Sequence, residues 1–429
     1  MRNACFLAAV LACGTAPLAA QTTAPAFTAY YSIGDSLAAG FESGSLVATH
    51  QVVSAPALIA RQAGVTDFQL PLVSEPGIPI ELFLQSLSPA PLIVPKSNRT
   101  GAPQNLGLGR AYNNMAVPGA TVLDSGTRAT DNGGLHDLIL RGRGTQVAQV
   151  VAARPSVITL WIGNNDVLGA AVRGRAVDGE TLTPAAAFRD YYTGVVATLR
   201  NTGARIFAAN LPDVTSIPYV TTIPPVVVNP TTGQPVLANN QPVPLIGPAG
   251  PLPSGSLVTL GASSLLAQGI GIPTALGGRG TPLPDEVVID PTELAIIKDR
   301  VAVNNQAIAT ICQAANIPVL DINGIMRDLA QNGRTIGGIT FTGAYLTGGI
   351  FSYDGVHPTD LGYAITANEW IRLLNANGAA LPEVDLLPFV GLATNVSASS
   401  RGRVPHTAWE FPQETQDSLL AIFPRLDER

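Results

Sequence analysis

The residues of this chain whose types could do covalent chemistry are one serine, one histidine with an aspartate three positions before it, and donors on two glycine-rich turns. Ser36 lies in "YYSIGDSLAAGF", Tyr30 to Phe41, where a short apolar run stops at a glycine turn. A serine hydroxyl is a weak nucleophile at neutral pH and attacks only with an adjacent base, itself oriented by a third group. The stretch "YDGVHPTDLGY" supplies both, in Asp354 and His357. Gly355 permits a tight turn and Pro358 fixes φ just beyond it, so Asp354 would reach one ring nitrogen and leave the other for Ser36. Acyl transfer also needs donors aimed at the developing oxyanion. The backbone N–H of Ser36, the backbone N–H of Gly119 and the side-chain amide of Asn165 would supply three. Ser36 has a plainer reading as a helix N-cap, and Gly119 and Asn165 as turn residues. Asp35 and Asp166, beside them, are expected to accept backbone hydrogen bonds and hold their turns.

Five short apolar runs are placed to present these groups: Phe27 to Ile33, Ala111 to Val117, Val157 to Ile162, Arg205 to Asn210, and Ile317 to Asp321. They read as buried parallel strands. Helical patterns lie between them. Thr183 and Pro184 resemble N-cap and N1 of a helix facing the core through Phe188, Tyr191, Val195 and Leu199. Asp290, Pro291 and Glu293 resemble cap, N1 and N3 of a longer one carrying Leu294, Ile297, Val301, Ile308 and Ile311. A last helix is expected from about Thr359 to Leu374. Alternation of this kind predicts an α/β fold whose mostly parallel sheet carries helices on both faces and binds ligands at the strands' carboxyl ends. The candidate groups all follow strands or precede the last helix.

Composition narrows the function. The 429 residues carry a net charge of -6, only 13% are charged, and no cluster of Lys and Arg stands out, which argues against a nucleic-acid partner. Residues 1–20 have the order of a secretory leader: Arg2, an apolar stretch, then small residues before Gln21. "VLAC" also fits a lipobox, with Cys13 as a lipid anchor, although Leu11 sits awkwardly in that pattern. Export to the periplasm, the medium or the cell surface of a bacterium is expected on either reading. Cleavage near Ala20 leaves Cys312 as the one cysteine, expected to fill core. Beyond the leader no apolar stretch is long enough to span a bilayer. Residues 223–284 form a Pro- and Gly-rich insertion and 377–429 a C-terminal extension, in which "LPEVDLLPFVGL" could dock and "NVSASSRGRV" looks loose.

The four blocks together resemble the GDSL, or SGNH, hydrolase superfamily of esterases and lipases. Its Ser, Gly, Asn and His match Ser36 in "GDSL", Gly119 in "NNMAVPGAT", Asn165 in "GNND" and His357 in "DGVH", in the family's order, and Asp354 fits its Asp-x-x-His. The resemblance covers roughly Phe27 to Leu374, giving a hydrolase domain at 21–376. It implies a three-layer α/β/α sandwich of flavodoxin-like type, a serine esterase mechanism, no cofactor and no metal.

The expected substrate is a small-molecule or lipid ester, with an acyl ester favoured by the apolar insertion and the low aromatic content of 6%. Carbohydrate acetyl esterase, thioesterase and acyltransferase activities are alternatives within the class. A surface binding protein that keeps the fold without turnover is the alternative outside it. His50, His136 and His406 are expected on surfaces or loops, Trp161 and Trp370 in the core. No His, Cys, Asp or Glu grouping has metal-ligand spacing along the sequence.

Overall fold

Four of the five apolar runs pair as parallel strands: β1 (Tyr30–Gly34), β2 (Val157–Trp161), β3 (Arg205–Ala209) and β4 (Val319–Leu320), hydrogen-bonded in that order. The structure is a computed structural model that describes residues 26–86, 91–393, 411–423 and 425–428. The leader with Cys5 and Cys13, the stretch "NVSASSRGRV" and His406 lie outside the described residues.

The remaining run, Ala111 to Val117, is not a regular strand. It follows the free side of β1, where Ser32 N–H donates to Asn113 O at 2.8 Å and Met115 and Val117 N–H groups donate to Ser32 O and Gly34 O at 2.9 and 3.1 Å. Its asparagines account for the departure. Asn113 Nδ2 donates to Tyr30 O at 2.9 Å and Asn114 Nδ2 to Ala38 O at 2.8 Å, side-chain bonds that compete with a backbone ladder. The spatial order of the five runs is therefore second, first, third, fourth, fifth, the flavodoxin-like order in which ligands sit beside the first strand.

Side chains alternate across the sheet with the period of two that strands impose. Tyr30, Val157, Trp161, Phe207, Ala209 and Leu320 share one buried cluster, and Ile33, Ile158, Leu160, Ile206 and Ala208 belong to another. The helices that matter here, in chain order, are α1 (Ser36–Ala39), α2 (Ala55–Gln62), α3 (Val122–Thr127), α4 (Gln146–Ala152), α5 (Asn165–Arg173), α6 (Ala185–Arg200), α7 (Pro291–Ala314), α8 (Asp360–Ala376) and α9 (Gln413–Ile422). Helices α2 and α8 cover the Trp161 face, the latter with Trp370 and Ile371; α4, α6 and α7 cover the other. This is the three-layer sandwich.

Two helix starts show local rules met in different ways. Asp290 accepts from the Thr292 and Glu293 N–H groups while Glu293 reaches back, a complete capping box. In α6 the helix begins one residue later than expected: Pro184 holds the N-cap position and no side chain caps it. Its buried tyrosine is Tyr192 rather than Tyr191, and it meets Cys312, which fills core on α7. Along α7 the buried line runs Ile297, Val301, Asn304, Ile308 and Cys312, with Leu294 and Ile311 only partly covered.

The insertion has more structure than its composition suggests. Leu237–Ala238 pairs with Gln241–Pro242, Ile246–Gly247 with Gly250–Pro251, and Leu257–Val258 with Val288–Ile289, with a short helix at Ser263–Ala267. In the C-terminal extension Val384 is buried, its backbone held by Asn368, and a helix at Leu387–Ala393 lies against α8. Among the described residues no helix is long and apolar enough to cross a membrane.

Candidate active site

Strand β1 ends in Gly34, and Asp35 caps the single turn of α1 by accepting from Leu37 N–H at 3.1 Å, which leaves Ser36 as its first residue. Asp35 is fully buried and also accepts from Asn164 Nδ2 at 2.8 Å. Burial pushes its carboxyl up to about 6, against the pull of the bonds from Asn164 and Leu37. It ties the end of β1 to the turn after β2, where Asn165 opens α5. Asn165 Nδ2 donates to Ala120 O at 2.9 Å, and Asp166 Oδ2 accepts from Val122 N–H at 3.0 Å, so the Asn165 turn is pinned to the Gly119 turn. A side-chain amide carries two N–H donors, and one remains for a ligand. Gly119 has φ of +81°, and a Cβ there would collide with the carbonyl oxygen of Ile422, so both backbone and space require glycine.

The candidate base arrives from the start of α8. His357 Nδ1 lies 2.8 Å from Asp354 Oδ2, and both residues are wholly buried. The turn between them depends on Gly355, whose φ is +70° and whose Cβ position is 3.1 Å from Tyr219 N. Asp354 accepts four further hydrogen bonds: from Gly44 N–H at 2.7 Å, from Val356 and His357 N–H at 2.8 Å each, and from Ser352 Oγ at 3.2 Å. Burial alone would raise its carboxyl, but the contact with His357 and these bonds outweigh it and hold the group below the ordinary carboxylate range. An ionised Asp354 fixes the proton of His357 on Nδ1 and makes Nε2 the acceptor. That Nε2 is buried with no hydrogen-bond partner among the described residues. The imidazole packs between Phe41, with ring centroids 4.8 Å apart, and Phe423, nearly parallel at 6.0 Å.

The Ser36, Asn165 and Gly119 turns are thus linked through Asp35, Asn164, Asp166 and Ala120, while Asp354 and His357 belong to a separate set of bonds that includes Gly44, and no hydrogen bond joins Ser36 to His357 Nε2. Asp35 and Asp166 hold turns, as expected. Gly44 and Tyr363 also serve the site, and sequence reasoning misses them; Tyr363 Oη donates to Phe41 O at 2.5 Å and to Ser36 O at 3.4 Å, binding α8 to the serine turn. Nothing in a lone Gly or Tyr signals such a role.

His50 and His136 differ from expectation. His136 is buried, its Nδ1 3.2 Å from Asp131 Oδ2, because the helix Leu135–Leu140 turns it inward. His50 is mostly buried and meets three carboxylates: Asp360 at 2.9 Å and Glu42 at 3.3 Å on Nδ1, and Glu81 at 3.2 Å on Nε2. The ligand atoms of Glu42, His50 and Asp360 lie within 4.8 Å of one another, a grouping that sequence spacing could not show. The donor set fits an ion network better than a metal. Burial lowers the affinity of His50 for its proton, but Glu42 and the bonds to Asp360 and Glu81 overcome this and push its pKa up to about 11, so both nitrogens carry protons. Lys96 adds a second cation against Glu81 and Glu75.

The sequence matches the family model of the GDSL-like Lipase/Acylhydrolase family over residues 30–370. This chain belongs to that family, and it is an enzyme of the esterase and lipase class. No curated protein matches it. Among solved structures it is similar to a catalytic mutant of the acetylxylan esterase Axe2 from Geobacillus stearothermophilus (12% identity, 80% of this chain and 93% of that one, TM-score 0.36). It is also similar to a family 3 carbohydrate esterase from Clostridium thermocellum (13%, 81% and 96%, 0.32) and to an extracellular lipase from Streptomyces rimosus (13%, 81% and 98%, 0.31).

Proposed function

We propose that the chain is an exported serine esterase acting on acyl esters through an acyl-enzyme. The observation that carries this reading is the buried pair of His357 and Asp354, with Nδ1 engaged at 2.8 Å and Nε2 left without a hydrogen-bond partner among the described residues. His136 shows the same pattern, with Nδ1 on Asp131 and a buried Nε2 without a partner, and what sets His357 apart is the helix it precedes, which Tyr363 ties to the Ser36 turn.

In the proposed cycle Nε2 of His357 takes the proton of Ser36 Oγ as Oγ bonds to the ester carbonyl carbon. The negative charge that forms on the carbonyl oxygen meets the N–H groups of Ser36 and Gly119 and Nδ2 of Asn165. On collapse, the C–O bond to the alcohol breaks and His357 returns the proton to the leaving oxygen. A water, deprotonated by the same Nε2, then attacks the acyl-serine, releases the carboxylic acid and restores Ser36. Asp354 stays ionised throughout and stabilises the imidazolium.

An acyl substrate is favoured by the Phe41 ring against His357. Export, with cleavage near Ala20 or lipidation at Cys13, is supported by the order of charged, apolar and small residues in the leader. The test is hydrolysis of p-nitrophenyl esters from acetate to palmitate by the wild type and Ser36→Ala. Loss of turnover in a folded variant is expected, and turnover that survives it would overturn the mechanism. The location is tested by fractionating cells that express the full chain with and without Cys13→Ser.

A further inference from the structure

The candidate site is shut: Ser36, Asn165 and His357 are 1%, 3% and 0% exposed. An ester cannot reach a serine so enclosed unless something moves. Phe41 covers His357 from within the domain, and further groups against the site belong to the end of the chain, beyond the 30–370 span that matches the family. Ile422 places its carbonyl oxygen against Gly119, close enough to leave no room for a Cβ, and Phe423 lays its ring parallel to His357. A carbonyl at the oxyanion turn and an apolar group against the base are what an acyl ester would present there.

The segment is seated rather than merely near. Phe411 is buried against Tyr219, with its backbone N–H and C=O both bonded to Ser263 Oγ of the insertion. Thr415, Gln416, Leu419, Ile422 and Phe423 are buried in turn along α9 and just past its end. At that end Arg173, the last residue of α5, donates to Phe423 O at 2.8 Å and to Leu420 O at 3.3 Å. A cation on the terminal carbonyls of a helix is a favourable cap. Helix α5 therefore presents Asn165 at one end and grips the covering segment with the other. A cleft of about 710 Å³ opens beside Gly119, walled in part by Pro118, Leu135, Ala421 and Ile422.

We propose that residues 411–423 are an autoinhibitory plug, occupying the place of the acyl ester, and that Ser36 turns over substrate only when the plug leaves. The proposal rests on the serine-esterase reading of the site. The plug is a ligand of the site supplied by the chain itself, joined to the hydrolase domain through residues 394–410.

The test uses the full chain with a site-specific protease sequence placed within 394–410 and cut after folding, alongside the uncut Phe423→Asp and Arg173→Met variants. The reading is the rate at which a fluorophosphonate labels Ser36, with Ser36→Ala as the blank. Cutting, followed by dilution, and each substitution should raise that rate tenfold or more, and a synthetic peptide of residues 411–423 should lower it again. Unchanged or slower labelling of Ser36 in the cut chain and in both variants would overturn the plug while leaving the serine mechanism intact. So would a cut chain that loses its cooperative melt, since the segment would then be part of the folded core. Absence of Ser36 labelling in every form, with the fold retained, would instead overturn the serine-esterase reading on which the plug depends.

Discussion

Two histidines, the buried His357 and the mostly buried His50, sit at opposite ends of one short network and have opposite surroundings. His357 has one carboxylate, Asp354, and one nitrogen without a hydrogen-bond partner among the described residues. His50 has carboxylates on both nitrogens and is held as an imidazolium. Burial beside acids therefore does not mark a candidate base, and an unpartnered nitrogen alone does not either, since His136 has one; His357 also lies just before the helix that Tyr363 ties to the Ser36 turn. The two are joined, since Asp360 of the His50 cluster opens α8 three residues after His357. Glu42, too, precedes the Ser43 and Gly44 N–H groups that reach Ser352 and Asp354. The His50 cluster fixes the frame on which the His357 pair is mounted.

That contrast can be broken most sharply at the pair itself. Ser36→Ala and His357→Gln should each lower kcat on p-nitrophenyl esters by ~10⁴ to 10⁶, and the double variant should lose little more, because the groups act as a unit. Asp354→Asn should cost ~10⁴ by favouring the wrong tautomer. Its thermal midpoint should fall as well, since five hydrogen bonds converge on that carboxylate. Asn165→Ala should cost ~10² to 10³ in kcat with KM little changed, as expected for a donor used in the transition state.

The His50 end should behave in the reverse way. His50→Gln should lower stability by up to ~3 kcal/mol, from unpairing mostly buried carboxylates, while kcat falls less than tenfold. The sign with pH follows from its raised pKa, about 11 against an ordinary 6.5. The folded state holds that proton more tightly, so its contribution is complete below pH 6.5 and fades as pH rises toward 11. Denaturant midpoints of the wild type should drop across that window, and those of His50→Gln should drop less; equal slopes would remove His50 from the account. The Asp35 carboxyl, raised to about 6, adds a smaller slope of the same sign between about pH 4 and 6.

Much of this arrangement is legible in the amino-acid sequence. The apolar runs that form β1, β2, β3 and β4 stand out because buried parallel strands need continuous apolar residues, and the groups just after them because ligands bind at that edge. The Ala111 to Val117 run misleads because Asn113 and Asn114 bond through their side chains, which a count of apolar residues ignores. The His50 cluster is invisible because Glu42, His50, Glu81 and Asp360 are drawn from separate places in the chain. The insertion hides its strands because each is two residues long, too short for any period to show. The covering role of the C-terminal extension has no signal either, since what α9 meets is set by Arg173, Gly119 and His357, not by its own sequence.

The most direct test of the central claim is to label the folded protein, intact and cut between 394 and 410, with a fluorophosphonate and to locate the adduct by mass spectrometry. The account predicts one adduct per chain, on Ser36, that is lost in His357→Gln. An adduct on another residue, or ester hydrolysis that persists with Ser36 unlabelled, would contradict it.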